Sequence, residues 1–252
     1  MKVSIITVCY NNAATIRDTF ESVLNQTYND IDYVVIDGNS KDETVSIIKE
    51  YEFKFEGRMR WISEPDDGLY DAMNKGIISS SGDLIGILNS DDVYYDKDVI
   101  SDVVFQMQKN NIHTLYGNIE FVKFDNTDIT VRKWISSPFF IGSFKKGWHP
   151  PHPSFFVRKE IYGQFGVFDT SFQVSADFEL MLRFLEKHKV STVYYCRFIV
   201  KMRMGGESTG SIRKIIIGNR GVLRAFKKNE ISASYLYFVY RLVPKLMQFI
   251  KR

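Results

Sequence analysis

Cysteine is scarce in this chain. Cys9 and Cys196 lie far apart, each within an apolar run, so no disulfide framework is available and no zinc or redox spacing occurs. Both are expected to be buried, reduced thiols. Long hydrophobic runs are missing as well, since nothing approaches the roughly 18 uninterrupted apolar residues of a membrane span. The opening Met1-Lys2-Val3-Ser4-Ile5-Ile6-Thr7-Val8 is too short and too soon polar for a signal peptide, which makes the cytoplasm the default compartment. Neither sign of charge dominates: 33 basic against 30 acidic residues leave a net +3, which argues against a dedicated nucleic-acid binder. No Gly-x-x-x-x-Gly-Lys-Ser/Thr is present, and no Gly-x-Gly-x-x-Gly follows the first strand. A P-loop kinase and a dinucleotide dehydrogenase are therefore both disfavoured. There is no internal repeat and no low-complexity segment.

What remains is ordinary for a globular chain, with 44% hydrophobic and 25% charged residues over 252 positions, enough for one large α/β domain or one domain with an appendage. The 14 Tyr and 20 Phe are many; they suit a carbohydrate-facing or membrane-facing surface, or simply core. The first half alternates strands and helices. Val3–Cys9 predicts a strand, and Ile16, Phe20, Val23 and Leu24 a helix face with Asn12 as its N-cap. Tyr33–Ile36 predicts the second strand, after which Ser40 and Glu43 predict a capping box for a helix to about Tyr51. Trp61-Ile62 is a third short strand, and Leu69 to about Ser79 a helix. Leu84–Leu88 is a fourth strand, and Asp96 caps a helix bearing Val99, Ile100, Val103, Val104 and Met107. Two strand–helix units so early indicate a parallel sheet.

In the second half His113–Tyr116, Ile119–Phe124 and Ile129–Trp134 read as strands. The stretch Ser136–Pro153 holds four of the six prolines and reads as a mobile or substrate-covering loop. Ser154–Arg158 is a strand, Ser175-Ala176 opens a helix, and Val190–Met204 is strand-rich. Two helices follow, over about 211–228 and 233–251.

The sharpest signal is Leu84-Ile85-Gly86-Ile87-Leu88-Asn89-Ser90-Asp91-Asp92, a buried strand ending on adjacent carboxylates. Ligands of open α/β sheets bind outside the carboxyl ends of strands. Two like charges there repel unless a cation is shared; a solvated turn would have the same letters. Tyr10-Asn11 and Asp37-Gly38-Asn39 end the neighbouring strands. Together the three groups suit a nucleoside diphosphate: an aromatic for the base, Asp37 for base or ribose, and the acidic pair for a metal on the diphosphate.

Several stretches resemble family 2 glycosyltransferases with the GT-A fold, in the family's order: Val3–Asn11, Ser22-Val23-Leu24-Asn25-Gln26-Thr27-Tyr28, Asp37–Thr44 and Asn89-Ser90-Asp91-Asp92. Glu64-Pro65-Asp66-Asp67-Gly68-Leu69-Tyr70-Asp71-Ala72-Met73-Asn74-Lys75-Gly76 is similar to the bacterial surface-polysaccharide branch, such as colanic acid and lipopolysaccharide enzymes. The similarity spans roughly 3–210. It implies a mixed, mainly parallel central sheet flanked by helices, a catalytic domain over 1–210 (a nucleotide-sugar-binding half, 1–110, and an acceptor-side half, 111–210), and a C-terminal helical extension over 211–252. It also implies inverting transfer of a sugar from a nucleotide-diphosphate donor, UDP by family habit, to a hydroxyl of a glycan or lipid-linked acceptor.

By position, the resemblance implies that Thr7, Tyr10, Asn11 and Asp37 hold the nucleoside. Asn39, Asn74 and Lys75 would line the donor site, with Asn89, Ser90 and His152 touching ribose, phosphate or acceptor. Asp91, with Asp92, would bind Mg²⁺ or Mn²⁺. The family's first Asp of Asp-x-Asp is Asn89 here, an amide that brings no charge, which leaves the metal to Asp91 and Asp92. Asp177, at a helix start, would be the general base, its alternative role being a favourable charge at that helix N-terminus; Glu179 points elsewhere. Arg183 is read as a helix partner of Asp177 or Glu179. Gly205-Gly206-Glu207-Ser208 is either a loop closing over the diphosphate or a plain turn. The last helix mixes Tyr235, Phe238, Leu242 and Phe249 with Arg241, Lys245, Lys251 and Arg252. That suits peripheral contact with an anionic membrane, or packing on the domain or in a homodimer. Two other activities fit the same residues, nucleotidyl transfer and non-catalytic nucleotide-sugar binding at a membrane.

Overall fold

β1 (Val3–Cys9) is apolar toward both sides and buried along its whole length. Such a strand must be covered on both faces, the condition of a parallel sheet between helical layers. The computed structural model, which describes residues 1–205, 212–232 and 237, has that arrangement. β1 lies between β2 (Ile31–Asp37) and β4 (Leu84–Ile87), with β3 (Met59–Ser63) outside β2, all four parallel. Beyond β4 the sheet becomes mixed. β8 (Phe156–Arg158) is antiparallel to β4 and to β6 (Thr114–Val122), and β9 (Thr192–Arg203) is parallel to β6. β5 (Val93–Tyr94) is antiparallel to β9, and β7 (Thr130–Trp134) to β6.

Successive side chains of a strand point to opposite faces, so Ile5 and Ile6 enter different cores. Ile5, Tyr33 and Val35 pack with α1 (Ile16–Leu24), α2 (Thr44–Lys54) and α4 (Val99–Asn110). Ile6, Val34 and Ile36 pack with α3 (Leu69–Ser79), α5 (Lys159–Phe165), α6 (Ala176–Met181) and α7 (Ile212–Lys228). α6 continues into a π-helical stretch, Leu182–Lys187. α3 sits directly on β1: a Cβ at Gly76 would lie 2.4 Å from Ile6 Cγ2. That contact joins the central strand of the parallel set to the helix that faces α6.

Several expected caps give way to other bonds of the same side chains. Asn12 does not cap α1 with its side chain, since its Oδ1 accepts the Tyr10 amide at 2.8 Å and Thr15 holds the N-cap position. The Ser40–Glu43 capping box does not form; Ser40 Oγ donates to Asp37 Oδ1 at 2.5 Å, and the α2 N-cap is Glu43. Asp98 rather than Asp96 precedes α4, because Asp96 is taken by Arg197 at 2.6 Å. The two strands expected around Gly117 are one, β6. A Cβ at Gly117 would come within 2.5 Å of Ile199 Cγ1, so glycine here serves a close approach of β9 and does not break the strand. Cys9 is buried, whereas Cys196 is exposed on β9, because strand alternation turns it away from the core.

Ser136–Pro153 is not a loose cover. Phe144 is fully buried, with Phe139 and Trp148 packed against the same core. The Glu186 carboxylate accepts the amides of Gly142 at 2.8 Å and Phe144 at 3.2 Å. Glu186→Ala should strand these amides and cost about 1–3 kcal/mol. The check is a lower urea midpoint with an unchanged slope, and faster proteolysis near Gly142. Among the described residues no helix is long and apolar enough to cross a membrane. The Gly206-Glu207-Ser208 stretch and the helix expected over 233–251 lie outside the described residues, except Tyr237, whose ring meets Phe226 at 5.2 Å.

Candidate active site

Parallel pairing brings the carboxyl ends of β2, β1 and β4 to one edge, with Cys9 opposite Asp37 and Ile6 opposite Ile87. The turns beyond are stitched together. Gly38 N donates to Cys9 O at 2.9 Å, Asn11 N to Ser40 Oγ at 2.8 Å, and Lys41 N to Asn11 Oδ1 at 2.8 Å. Asn11 and Asn39 hold left-handed backbone angles, φ 54° and 63°, which Asn tolerates better than most residues. Tyr10 is 60% exposed at this mouth, open to stack on a ring. A Cβ at Gly38 would meet Asp66 Oδ2 at 3.1 Å and Tyr10 Cδ2 at 3.5 Å, so glycine lets those two groups line one cleft.

Not every expected donor contact reaches that cleft. Thr7 is fully buried, its hydroxyl 2.9 Å from Tyr33 Oη and donating to Leu88 O at 2.8 Å. Asp37 is also fully buried and accepts Ser63 Oγ at 2.6 Å and Ser40 N at 3.0 Å. Both brace the floor from beneath. Lys75 is held by Asp66 at 2.6 Å and Glu64 at 2.8 Å, bonds that push its pKa up. Asn74 closes a two-bond clasp with Phe168, Nδ2 to O at 2.9 Å and N to Oδ1 at 2.9 Å, so its amide ties α3 to the loop before α6.

The acidic stretch divides in two. Ser90 is buried and its carbonyl accepts Thr15 Oγ1 at 3.0 Å. Asp92 is 1% exposed; it accepts Arg203 N at 3.2 Å and Asn89 Nδ2 at 3.2 Å. Burial, then the charge of Asp91, pushes its pKa well above the usual carboxylate range. Both Asp92 oxygens thus have partners inside the protein, whereas Asp91 is the more open of the two carboxylates. Asp91 is partly exposed, its carboxylate takes no hydrogen bond from another side chain among the described residues, and its pKa is raised less, by burial. Asn89 Oδ1 is buried without a hydrogen-bond partner.

Arg203, which the sequence reading missed, lies beneath this turn at the end of β9. It donates through Nη1 to Asp91 O at 2.8 Å and through Nε to Phe124 O at 2.9 Å, and it pairs with Asp18. The available signal was a basic residue in an apolar strand-rich stretch, together with the need of two acids for a counter-charge. Among the described residues no group of three or more His, Cys, Asp or Glu is gathered for a metal. One open carboxylate still fits an Mg²⁺- or Mn²⁺-type ion, because such ions take one or two carboxylates and fill their other positions from phosphate and water.

Across α3 lies a second group. Tyr70 donates to Val174 O at 3.0 Å and to Asp177 Oδ1 at 3.3 Å; burial, then Asp177's charge, drives its phenol pKa up. Asp177 is part-exposed at the start of α6. Near it His152 is held neutral by burial, against the opposing pull of Asp177, and meets the Phe168 ring edge-on at 5.6 Å. Glu179 is fully buried, 3.1 Å from Arg183, and bonded to Asn229 at 3.0 Å, so it serves the core. His149 Nδ1 lies 2.9 Å from Pro150 O and helps hold the loop. Tyr70 and Asn74, one helical turn apart, thus fix α3 to the loop that leads into Asp177. Neither role was legible from spacing.

The parallel sheet curling into a mixed one, with helices on both faces, is a GT-A-like fold. S. aureus TarS in complex with UDP-GlcNAc matches it with a TM-score of 0.72 over 95% of this chain and 69% of that one, at 15% identity. The Pyrobaculum calidifontis mannosyltransferase PcManGT, in complex with GDP-Man and Mn²⁺, matches at TM-score 0.66 and 16% identity over 99% and 70% of the two chains. In another TarS structure this chain spans 44% of that chain's length. The chain belongs to the Glycosyl transferase family 2, whose profile covers residues 4–172. An uncharacterized glycosyltransferase of Mycobacterium tuberculosis is 36% identical over 186 residues, 72% of this chain and 68% of that protein. A PGL/p-HBAD biosynthesis glycosyltransferase of Mycobacterium bovis is 27% identical over 192 residues, 76% and 72% of the two.

Proposed function

We propose that this chain moves a sugar, with inversion, from a nucleotide-diphosphate donor to a hydroxyl of a glycan or lipid-linked acceptor in bacterial surface-polysaccharide synthesis. The observation that carries the reading is the pairing of the strand-end cleft at Tyr10, Asn39 and Asp91 with Asp177 across α3. UDP is the first nucleotide to test, on the strength of the UDP-GlcNAc bound by TarS. Tyr10 stacks on the base, and Asn39 lines the donor beside it. A divalent ion held by Asp91 would offset the charge of the departing diphosphate. Asp177 takes the proton of the acceptor hydroxyl as its oxygen attacks the anomeric carbon and the nucleoside diphosphate leaves. Tyr70 aims that carboxylate, and His152 lines the approach as a neutral donor or acceptor.

A thermal-shift panel of nucleotide sugars with Mg²⁺ or Mn²⁺ tests the donor, since a ligand at 100 times its Kd adds about 2.7 kcal/mol. Asp91→Ala is expected to erase the metal-dependent part of that shift and leave the apo melting temperature within a degree or two. Donor binding that stays fully metal-dependent would remove Asp91 as a ligand. Release of pyrophosphate in place of nucleoside diphosphate would mark nucleotidyl transfer.

A further inference from the structure

A cavity of about 260 Å³ opens between α7 and the loop before α6, lined by Ser171, Phe172, Val174, Ile217, Arg220 and Arg224 among others. Two α7 glycines set its width. A Cβ at Gly221 would strike Ser175 Oγ at 2.0 Å, and one at Gly218 would touch Val174 Cγ1 at 3.4 Å. The helix backbone therefore rests against the loop, and Arg220 and Arg224 project where the wall opens. Among the described residues no Asp or Glu lines the cavity. Arg224 is aimed but not neutralised: it donates to Ser171 O at 3.0 Å and to Ser171 Oγ at 2.8 Å, over the Phe172 ring at 4.5 Å. Arg220 is exposed and has no ion pair among the described residues. The neighbouring Lys228, by contrast, is paired with Asp169 at 2.5 Å. Like charges four residues apart on a helix repel, and a phosphate between two guanidiniums reverses that sign.

The cavity also adjoins the base. Its wall residue Val174 accepts the Tyr70 hydroxyl that bonds Asp177 at 3.3 Å. No strand end of the donor cleft contributes to it. Phe172, Val174 and Ile217 give it apolar walls, so a bare anion would leave them uncovered. We propose that this cavity seats the phosphate-ester head of an amphipathic acceptor, with the first carbons of its apolar tail on Phe172 and Ile217 and its reacting hydroxyl toward Asp177. The proposal rests on the reading of Asp177 as general base.

The test is calorimetric titration of the full chain with dodecyl phosphate below its micellar concentration, with inorganic phosphate as competitor and 1-dodecanol as the uncharged control. Saturable binding of dodecyl phosphate, competition by phosphate and no binding of dodecanol are expected. Arg220→Gln, which removes no protein bond, should weaken binding about tenfold or more with an unchanged melting temperature, and Arg220→Lys by less. Equal affinity in Arg220→Gln, or equal binding of dodecanol, would overturn the assignment. So would phosphatidylglycerol vesicles that bind through Arg220 while dodecyl phosphate does not, since the contact would then be with a bilayer. The two readings fail separately. A failed cavity leaves the arginine variants indistinguishable in titration while Asp177→Asn is inactive; a failed base leaves Asp177→Asn active whatever the titration reads.

Discussion

Asp177→Asn is expected to reduce sugar transfer by roughly 10²–10⁴-fold, the usual share of a positioned general base, while donor affinity stays as it was. The amide keeps the shape of the side chain and can still accept the Tyr70 hydroxyl now at 3.3 Å, so α6 should start as before. Single-turnover kinetics with saturating donor would place the whole loss in the chemical step. Full turnover would transfer the role of base to another group, with His152 the first to examine. A rise in donor KM with unchanged kcat would mean that Asp177 binds and does not catalyse.

The largest stability effect is expected at Arg203. It is 4% exposed and spans Asp18, the carbonyls of Asp91 and Phe124, and, through its amide, Asp92. Arg203→Met removes the guanidinium and leaves the carbonyls of Asp91 and Phe124 without its bonds, a loss of about 1–3 kcal/mol for each buried group left unsatisfied. Against a total stability of about 5–15 kcal/mol that is a large share, readable as a fall in the urea midpoint at constant slope. Asp18→Asn is the control. Asp18 is 59% exposed, so its loss should cost no more than about 1 kcal/mol. If the control falls as far as Arg203→Met, the surface pair, and not the buried turn, holds the strand end in place.

How much of this could be read from the letters depends on how far apart the partners lie. α3, expected from Leu69 to about Ser79, was legible because Gly68 precedes a run with Met73 and Ile77 on one face. β1, β2 and β4 were legible because a strand buried on both faces is apolar throughout. The convergence of Tyr10, Asn39 and Asp91 followed from parallel order alone. Caps were misread where the side chain had another partner: Ser40 turns back to Asp37, three residues before it, and Asp96 serves Arg197, 101 residues away. α5 was missed because only Ile161 and Tyr162 of its seven residues are buried, too few to show a period. Asn74 was expected to line the donor site on motif alone; its partner Phe168 lies 94 residues on. Arg203 was invisible for the same reason.

β9 carries a further consequence for the making of the protein. The turn at Asp91 and Asp92 is complete in sequence 111 residues before the Arg203 amide and guanidinium that close it from below. At about 5–20 residues per second of synthesis, the nascent N-terminal half waits roughly 6–20 s with its acids lacking their basic partner. A chain released early, before its last strand, would have the strand-end letters of a donor cleft and no means of burying them. The buried form of this turn thus arrives late in translation, with the strand that carries Arg203.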